Sequence, residues 1–118
     1  MAYDSNNIFA KILRGEIPCK EVYRDDFALA FHDIAPNAPQ HILVIPRGAY
    51  DSITDFVAQA SEAEQLGFWR AVNNIAAQQN ISSAFRLITN NGEAAGQSVH
   101  HFHVHLLAGK PMGPLLAH

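Results

Sequence analysis

The sequence predicts an α+β fold: a mostly antiparallel five-stranded sheet with one long helix and a short N-terminal helix. Two observations carry this. Several short stretches place apolar residues in alternation between clusters of turn formers, as strands do. One long stretch after Ser61 places them at helical spacing instead. At 118 residues the chain is expected to form a single domain, 1–118, around one core.

Each element has its own signal. Asn7 can cap a short helix whose stripe is Ile8, Phe9, Ile12 and Leu13, and Gly15 is expected to end it. Strands are predicted over 22–24 and 27–34, with Asp25-Asp26 as the turn between them. On the second strand Phe27, Leu29, Phe31 and Asp33 should share a face. Pro36 and Pro39 forbid regular structure across the next loop. They deliver the chain to a strand over 41–45, with His41, Leu43 and Ile45 on one face and Ile42 and Val44 on the other. A short helical turn is expected within 51–57. Ser61 and Glu64 then form a capping box, and Leu66, Trp69, Val72, Ile75 and Ala76 make the stripe of a helix running to about Gln79. Trp69 reads as core. A strand over 85–89 follows, and the loop 90–96 is too rich in turn formers to continue it.

The stretch Gln97-Ser98-Val99-His100-His101-Phe102-His103-Val104-His105-Leu106-Leu107 stands apart. From His101 imidazoles alternate with apolar residues, which predicts a half-buried strand with His101, His103 and His105 on one face. Phe102, Val104 and Leu106 should face the core. Such spacing suits a metal poorly: neighbours on one face lie about 6.6 Å apart and the outer pair about 13 Å. Zinc needs each nitrogen at about 2.1 Å, so one straight strand offers two ligands at most. Nucleophilic chemistry fits better. A neutral imidazole attacks through the nitrogen that lacks a proton, and a hydrogen bond at the other nitrogen decides which that is. The middle position, His103, is the candidate nucleophile.

Composition narrows the function classes. Hydrophobic residues at 48% and charged ones at 16% describe a globular chain without a disordered tract. A formal net charge of −3 leaves no basic footprint for a nucleic-acid polymer, although a single small nucleotide remains possible. The single cysteine, Cys19, fits a reducing compartment. The polar start of the chain does not resemble a signal peptide, and no stretch reaches the roughly 20 apolar residues of a membrane span. A cytoplasmic location is expected.

The run His101-Phe102-His103-Val104-His105-Leu106-Leu107 resembles the His-φ-His-φ-His-φ-φ motif of the histidine triad superfamily of nucleotide hydrolases and transferases. Further stretches are similar to its Hint branch, in particular to the bacterial purine nucleoside phosphoramidases. They are Ile8-Phe9, Glu16-Ile17-Pro18, Phe31-His32-Asp33-Ile34-Ala35-Pro36-Asn37-Ala38-Pro39, His41-Ile42-Leu43-Val44-Ile45-Pro46, Gly96-Gln97-Ser98-Val99 and the ending Gly109-Lys110-Pro111-Met112-Gly113-Pro114-Leu115-Leu116-Ala117-His118. The sequence departs from the usual pattern at Glu93-Ala94-Ala95, at His100, which reads as structural, and at Ala35 and Asn37 in the proline loop.

The resemblance implies cleavage of the P–N bond of purine nucleoside 5′-phosphoramidates through a nucleotidyl-histidine intermediate, with no cofactor and no metal. It implies a catalytic set of His103, His101, His105, His41 and Ser98. It also implies a nucleotide site that includes Ile8, Phe9, Ile17, Phe31, His32, Asp33, Ile34, Leu43, Asn90 and Ser98 with His103 and His105. Within it, Ile8, Phe9 and Ile17 would line a purine pocket and Asp33 would hold the ribose. On pattern alone the same apolar residues read equally as core, and Asp33 as an exposed strand end. A homodimer is implied, its sheets joined and each C-terminal segment reaching the partner's site. Alternatives on the same triad are a dinucleoside polyphosphate hydrolase, a nucleotidyl transferase, and a nucleotide-binding scaffold without turnover.

Overall fold

A computed structural model describes residues 2–116, so the Ala117-His118 end of the C-terminal motif lies outside the described residues. In chain order the elements are helix α1 (Ile8–Leu13), strands β1 (Glu21–Arg24), β2 (Ala28–His32) and β3 (Gln40–Pro46), helices α2 (Ile53–Gln59) and α3 (Glu62–Gln78), strand β4 (Arg86–Ile88) and strand β5 (Val104–Ala108). A single 3-10 turn, Glu93–Ala95, interrupts the loop before β5. The sheet order is β1-β2-β3-β5-β4, and every neighbouring pair is antiparallel. The α+β class and the five antiparallel strands are as the sequence predicts.

Local chemistry explains the boundaries. The Asn7 side chain accepts from the Ala10 N–H and starts α1, and Gly15 at φ 78° turns the chain out of it. Asp25 makes the β1–β2 turn by accepting from the N–H groups of Phe27 and Ala28. At α3 both halves of the capping box are formed: Ser61 Oγ accepts from Glu64 N–H, and the Glu64 carboxylate accepts from Ser61 N–H.

The sheet has a core on each side. On one, Phe56 of α2 and Phe68, Ala71, Val72 and Ile75 of α3 cover Ala28, Ala30, Ile42, Val44, Phe102, Val104 and Leu106. On the other, Phe9 and Ile12 of α1 cover Leu29, Phe31, Leu43 and Ile45. Leu43 and Ile45 are thus separated from Ile42 and Val44 as alternation requires, and Phe102, Val104 and Leu106 do enter the core.

Several expectations need correction. The triad strand begins only at Val104, whose partner Val44 is the last register pair, so residues 101–103 precede the ladder. Phe27 precedes β2 and packs against Gly67 of α3, on the face opposite Leu29 and Phe31. Residue 27 lies outside the pleat, so strand alternation does not govern it. Residues 53–59 form a two-turn helix rather than a turn within 51–57. Trp69 is not core: it is 39% exposed and Leu66 52%, while Phe68 and Ala71 are fully buried. The buried arc of α3 is centred one residue before the predicted stripe, because α3 turns Gly67 and Phe68 toward β2 and β5. Pro111 and Pro114 lie in irregular chain, and Arg86 holds that segment by donating to the carbonyls of Pro114 and Gly113 at 3.1 and 3.0 Å.

Candidate active site

His41 and His105 come together because β3 and β5 pair. In the register Leu43 faces His105 and His41 faces Leu107, so the two histidines are diagonal neighbours on one face. Nε2 of His41 lies 2.9 Å from Nδ1 of His105. The backbone N–H of Asn37 donates to Nδ1 of His41 at 3.0 Å, which puts the proton of His41 on Nε2. Asp33 Oδ2 is farther from that nitrogen, at 3.5 Å, so His41 Nε2–H donates to His105. Since His105 Nδ1 accepts, the His105 proton sits on Nε2. The proline loop therefore sets two imidazole tautomers through one backbone amide.

The other two histidines are set the same way. His103 Nδ1 donates to the carbonyl of His101 at 2.8 Å, since a carbonyl can only accept. Its Nε2 is left with a free lone pair. Among the described residues nothing hydrogen-bonds that atom, and no buried side-chain nitrogen or oxygen lacks a partner, so Nε2 opens to the surface. His101 Nε2 donates to the Pro46 carbonyl at 3.0 Å.

Burial favours the neutral form of His101, His103 and His105. His101 is fully buried, and desolvation lowers its pKa to about 4 against the pull of the Pro46 carbonyl. Desolvation likewise lowers His103, opposed by its bond to the His101 carbonyl and by the Asp33 charge. His105 is lowered to about 4, first by desolvation and then by His103 and His41. Near neutral pH the site presents one unprotonated nitrogen, His103 Nε2, and one N–H donor, His105 Nε2, on rings whose centroids are 5.1 Å apart.

Around them stands an apolar wall. Phe9 meets His103 edge to face with centroids 5.0 Å apart and meets Phe31 at 5.6 Å. Leu43 belongs to the same cluster, and Ile17 and Val99 pack against it. The other predicted site residues have different surroundings. Ile8 is 44% exposed and with Ser98 lines an open hollow of about 400 Å³ that includes neither His103 nor His105. The Asn90 amide lies beside Gly96, whose φ of 99° suits glycine. His32 ends β2 exposed, on the side of Ala28 and Ala30 rather than of Phe31. Ile34 is almost wholly exposed, and Asp33 accepts from the Ala35 N–H. Asp33, His41 and His105 place one ligand atom each within 4.8 Å of one another, the one group among the described residues able to hold a metal. A cation there would displace the proton shared by the two imidazoles.

Two contributors have no motif. The Asn37 amide is invisible because any non-proline residue offers an N–H. Tyr3, which hydrogen-bonds His101, is a lone aromatic far from the triad in sequence. Gln97 is buried and ties the 90–96 loop down, donating to the carbonyls of Asp51 and Val99 and accepting from Gly92 N–H. His100 stands off the triad, its Nδ1 3.2 Å from Asp51.

An antiparallel sheet that presents His-φ-His-φ-His at the entry to an interior strand, backed by a fourth histidine, defines a histidine triad protein. The chain belongs to the HIT domain family, which it matches over residues 14–112. It is 53% identical to an HIT-like protein of Azospirillum brasilense, over 97% of this chain and 94% of that protein. It is 47% identical to the purine nucleoside phosphoramidase of Escherichia coli K12, over 94% and 93% of the two chains. Among solved structures, a histidine triad protein from Clostridium difficile superposes with a TM-score of 0.85 at 41% identity, covering 97% of this chain and 98% of that one. An HIT family hydrolase from Clostridium thermocellum gives 0.82 at 36%, with 97% and 99% covered.

Proposed function

We propose that this protein hydrolyses purine nucleoside 5′-phosphoramidates, with His103 as the nucleophile. The observation that carries the reading is the pair of opposite protonation states at neighbouring rings, a bare Nε2 on His103 and an Nε2–H on His105. His103 Nε2 attacks the α-phosphorus. The P–N bond breaks as the amine nitrogen takes a proton, and a nucleotidyl-imidazole forms. Water then attacks the same phosphorus, releases the nucleoside monophosphate and returns the lone pair to Nε2. His105, with Ser98 and Asn90, donates to the phosphate or the leaving group as charge builds.

Phe9, Phe31, Leu43 and Ile17 form the slot for a purine, whose flat apolar faces suit such walls. Asp33 receives the ribose hydroxyls, beside His32 and Ile34. The Escherichia coli relative, a purine nucleoside phosphoramidase by name, supports the same substrate class. The step requires no cofactor. The whole chain acts as one HIT domain in the cytoplasm, as a homodimer. The exposed Leu87 and Ile88 on the edge strand β4, with Leu115 and Leu116 in the tail beyond it, support that assembly. Among the described residues no helix is long and apolar enough to cross a membrane.

Turnover of an adenosine 5′-phosphoramidate and of a diadenosine polyphosphate, measured side by side, tests the leaving group. Faster release of adenosine monophosphate from the first is expected. His103→Ala should abolish turnover while leaving nucleotide affinity measurable. Equal turnover by the two proteins would remove the assignment, and sedimentation showing only monomer would remove the dimer.

A further inference from the structure

The carbonyl that sets the His103 tautomer belongs to a stretch of chain the sheet does not hold. The ladder between β3 and β5 ends at Val44 and Val104, so His101 lies outside it. Two anchors fix that residue: the Phe102 N–H, in the same planar peptide unit as the His101 carbonyl, donates to the Tyr50 carbonyl at 2.7 Å, and the His101 side chain is itself tied down. The ring is fully buried and bonded at both nitrogens to distant parts of the chain: Nε2 to the Pro46 carbonyl at 3.0 Å, Nδ1 to the Tyr3 hydroxyl at 2.5 Å. The Pro46 carbonyl can only accept, which puts the His101 proton on Nε2 and leaves Nδ1 as an acceptor. The Tyr3 hydroxyl is therefore the donor.

Tyr3 is presented by anchored chain. Asn7 donates to the Asp4 carbonyl through both its backbone and its side-chain N–H, Asn6 N–H donates to the Asp4 carboxylate, and the Arg14 guanidinium donates to the Ser5 carbonyl. Six residues after Tyr3, Phe9 at the start of α1 sits against His103. The N-terminal segment thus touches the two histidines at two points.

We propose that Tyr3 is a positioning residue for the nucleophile: by donating to His101 Nδ1 it holds the His101 carbonyl where that carbonyl fixes His103 in its attacking tautomer. Other bonds keep the fold without it, since Phe102 N–H donates to the Tyr50 carbonyl and Thr89 Oγ1 donates to the His103 carbonyl. Removing the hydroxyl leaves a buried acceptor unpaired and the ring held by hydrogen bonding only at Nε2, through the Pro46 carbonyl.

The proposal rests on His103 being the nucleophile, so the test has one arm that needs no substrate. In the full chain, Tyr3→Phe and Tyr3→Ala are compared with wild type by imidazole ¹⁵N and ring N–H resonances and by steady-state kinetics on an adenosine phosphoramidate. Expected are a shifted His101 Nδ1 signal, a broadened His103 Nδ1–H, and kcat lower by about tenfold in both variants with KM nearly unchanged. Wild-type kcat in Tyr3→Phe with loss only in Tyr3→Ala would overturn the proposal, because packing rather than the hydroxyl would then matter. Should wild type itself prove inactive, the function would fall and the resonances alone would decide: a His103 signal indifferent to Tyr3→Phe overturns the positioning role.

Discussion

Acidification from pH 7 to pH 5 should remove about 2 kcal/mol of folding stability through His101 alone. Its ring has no exposed surface and titrates at about 4 when folded, against 6.5 for the free side chain, so no discount for solvent screening applies. Between those two values the unfolded chain binds the proton and the folded chain does not. The His101 contribution is therefore complete above about pH 6.5 and shrinks as the pH falls toward 4. At pH 5 roughly 97% of unfolded rings and about 10% of folded ones are protonated, which gives the 2 kcal/mol figure, rising to about 3 near pH 4. Urea unfolding followed by circular dichroism at pH 7 and pH 5 measures the loss in wild type and in His101→Gln, which cannot titrate. His103, His105 and the carboxylates remain in both proteins and cancel to first order. A wild-type loss about 2 kcal/mol larger than that of the variant is expected, and equal losses would refute the reasoning.

Three further outcomes follow from named contacts. Because burial lowers His103, the acid limb of kcat/KM should lie below the ordinary 6.5, with activity level from there to pH 8; a limb centred above 6.5 would contradict a buried neutral nucleophile. His41→Phe removes the donor to His105 Nδ1 and should lower kcat by about 10–100-fold with nucleotide affinity retained, whereas a loss under threefold would show that the Asn37–His41 relay does not orient His105. Gly67→Ala would bring a Cβ within 2.3 Å of the Phe27 ring, and overpacking of about 1–3 kcal/mol should outweigh the roughly 1 kcal/mol gained in helix propensity. Thermal unfolding should show a lower Tm, and a raised one would mean that the ring swings aside freely.

Sequence was most informative where a local rule acts alone. The Asn7 cap, the Asp25 turn, the Ser61 capping box and the alternation of 41–45 all depend on residues a few positions apart, and each appears in the fold. The same logic separated Leu43 from Ile42. It misled where an element is oriented by something distant. The apolar stripe of α3 cannot reveal which neighbouring side chain, Phe68 or Trp69, the sheet will cover, and a period of two cannot reveal that the ladder stops at Val104.

What the chain determined by itself was therefore the set of elements and the identity of the imidazoles that could carry the chemistry. Which nitrogen of each ring holds the proton was decided only in three dimensions. That assignment rests on the carbonyls of His101 and Pro46, the amide of Asn37 and the hydroxyl of Tyr3. Three of those four are backbone groups common to nearly every residue, so no pattern of side chains can announce them. They become chemistry only when the sheet pairs β3 with β5 and the N-terminal segment folds down over the histidines.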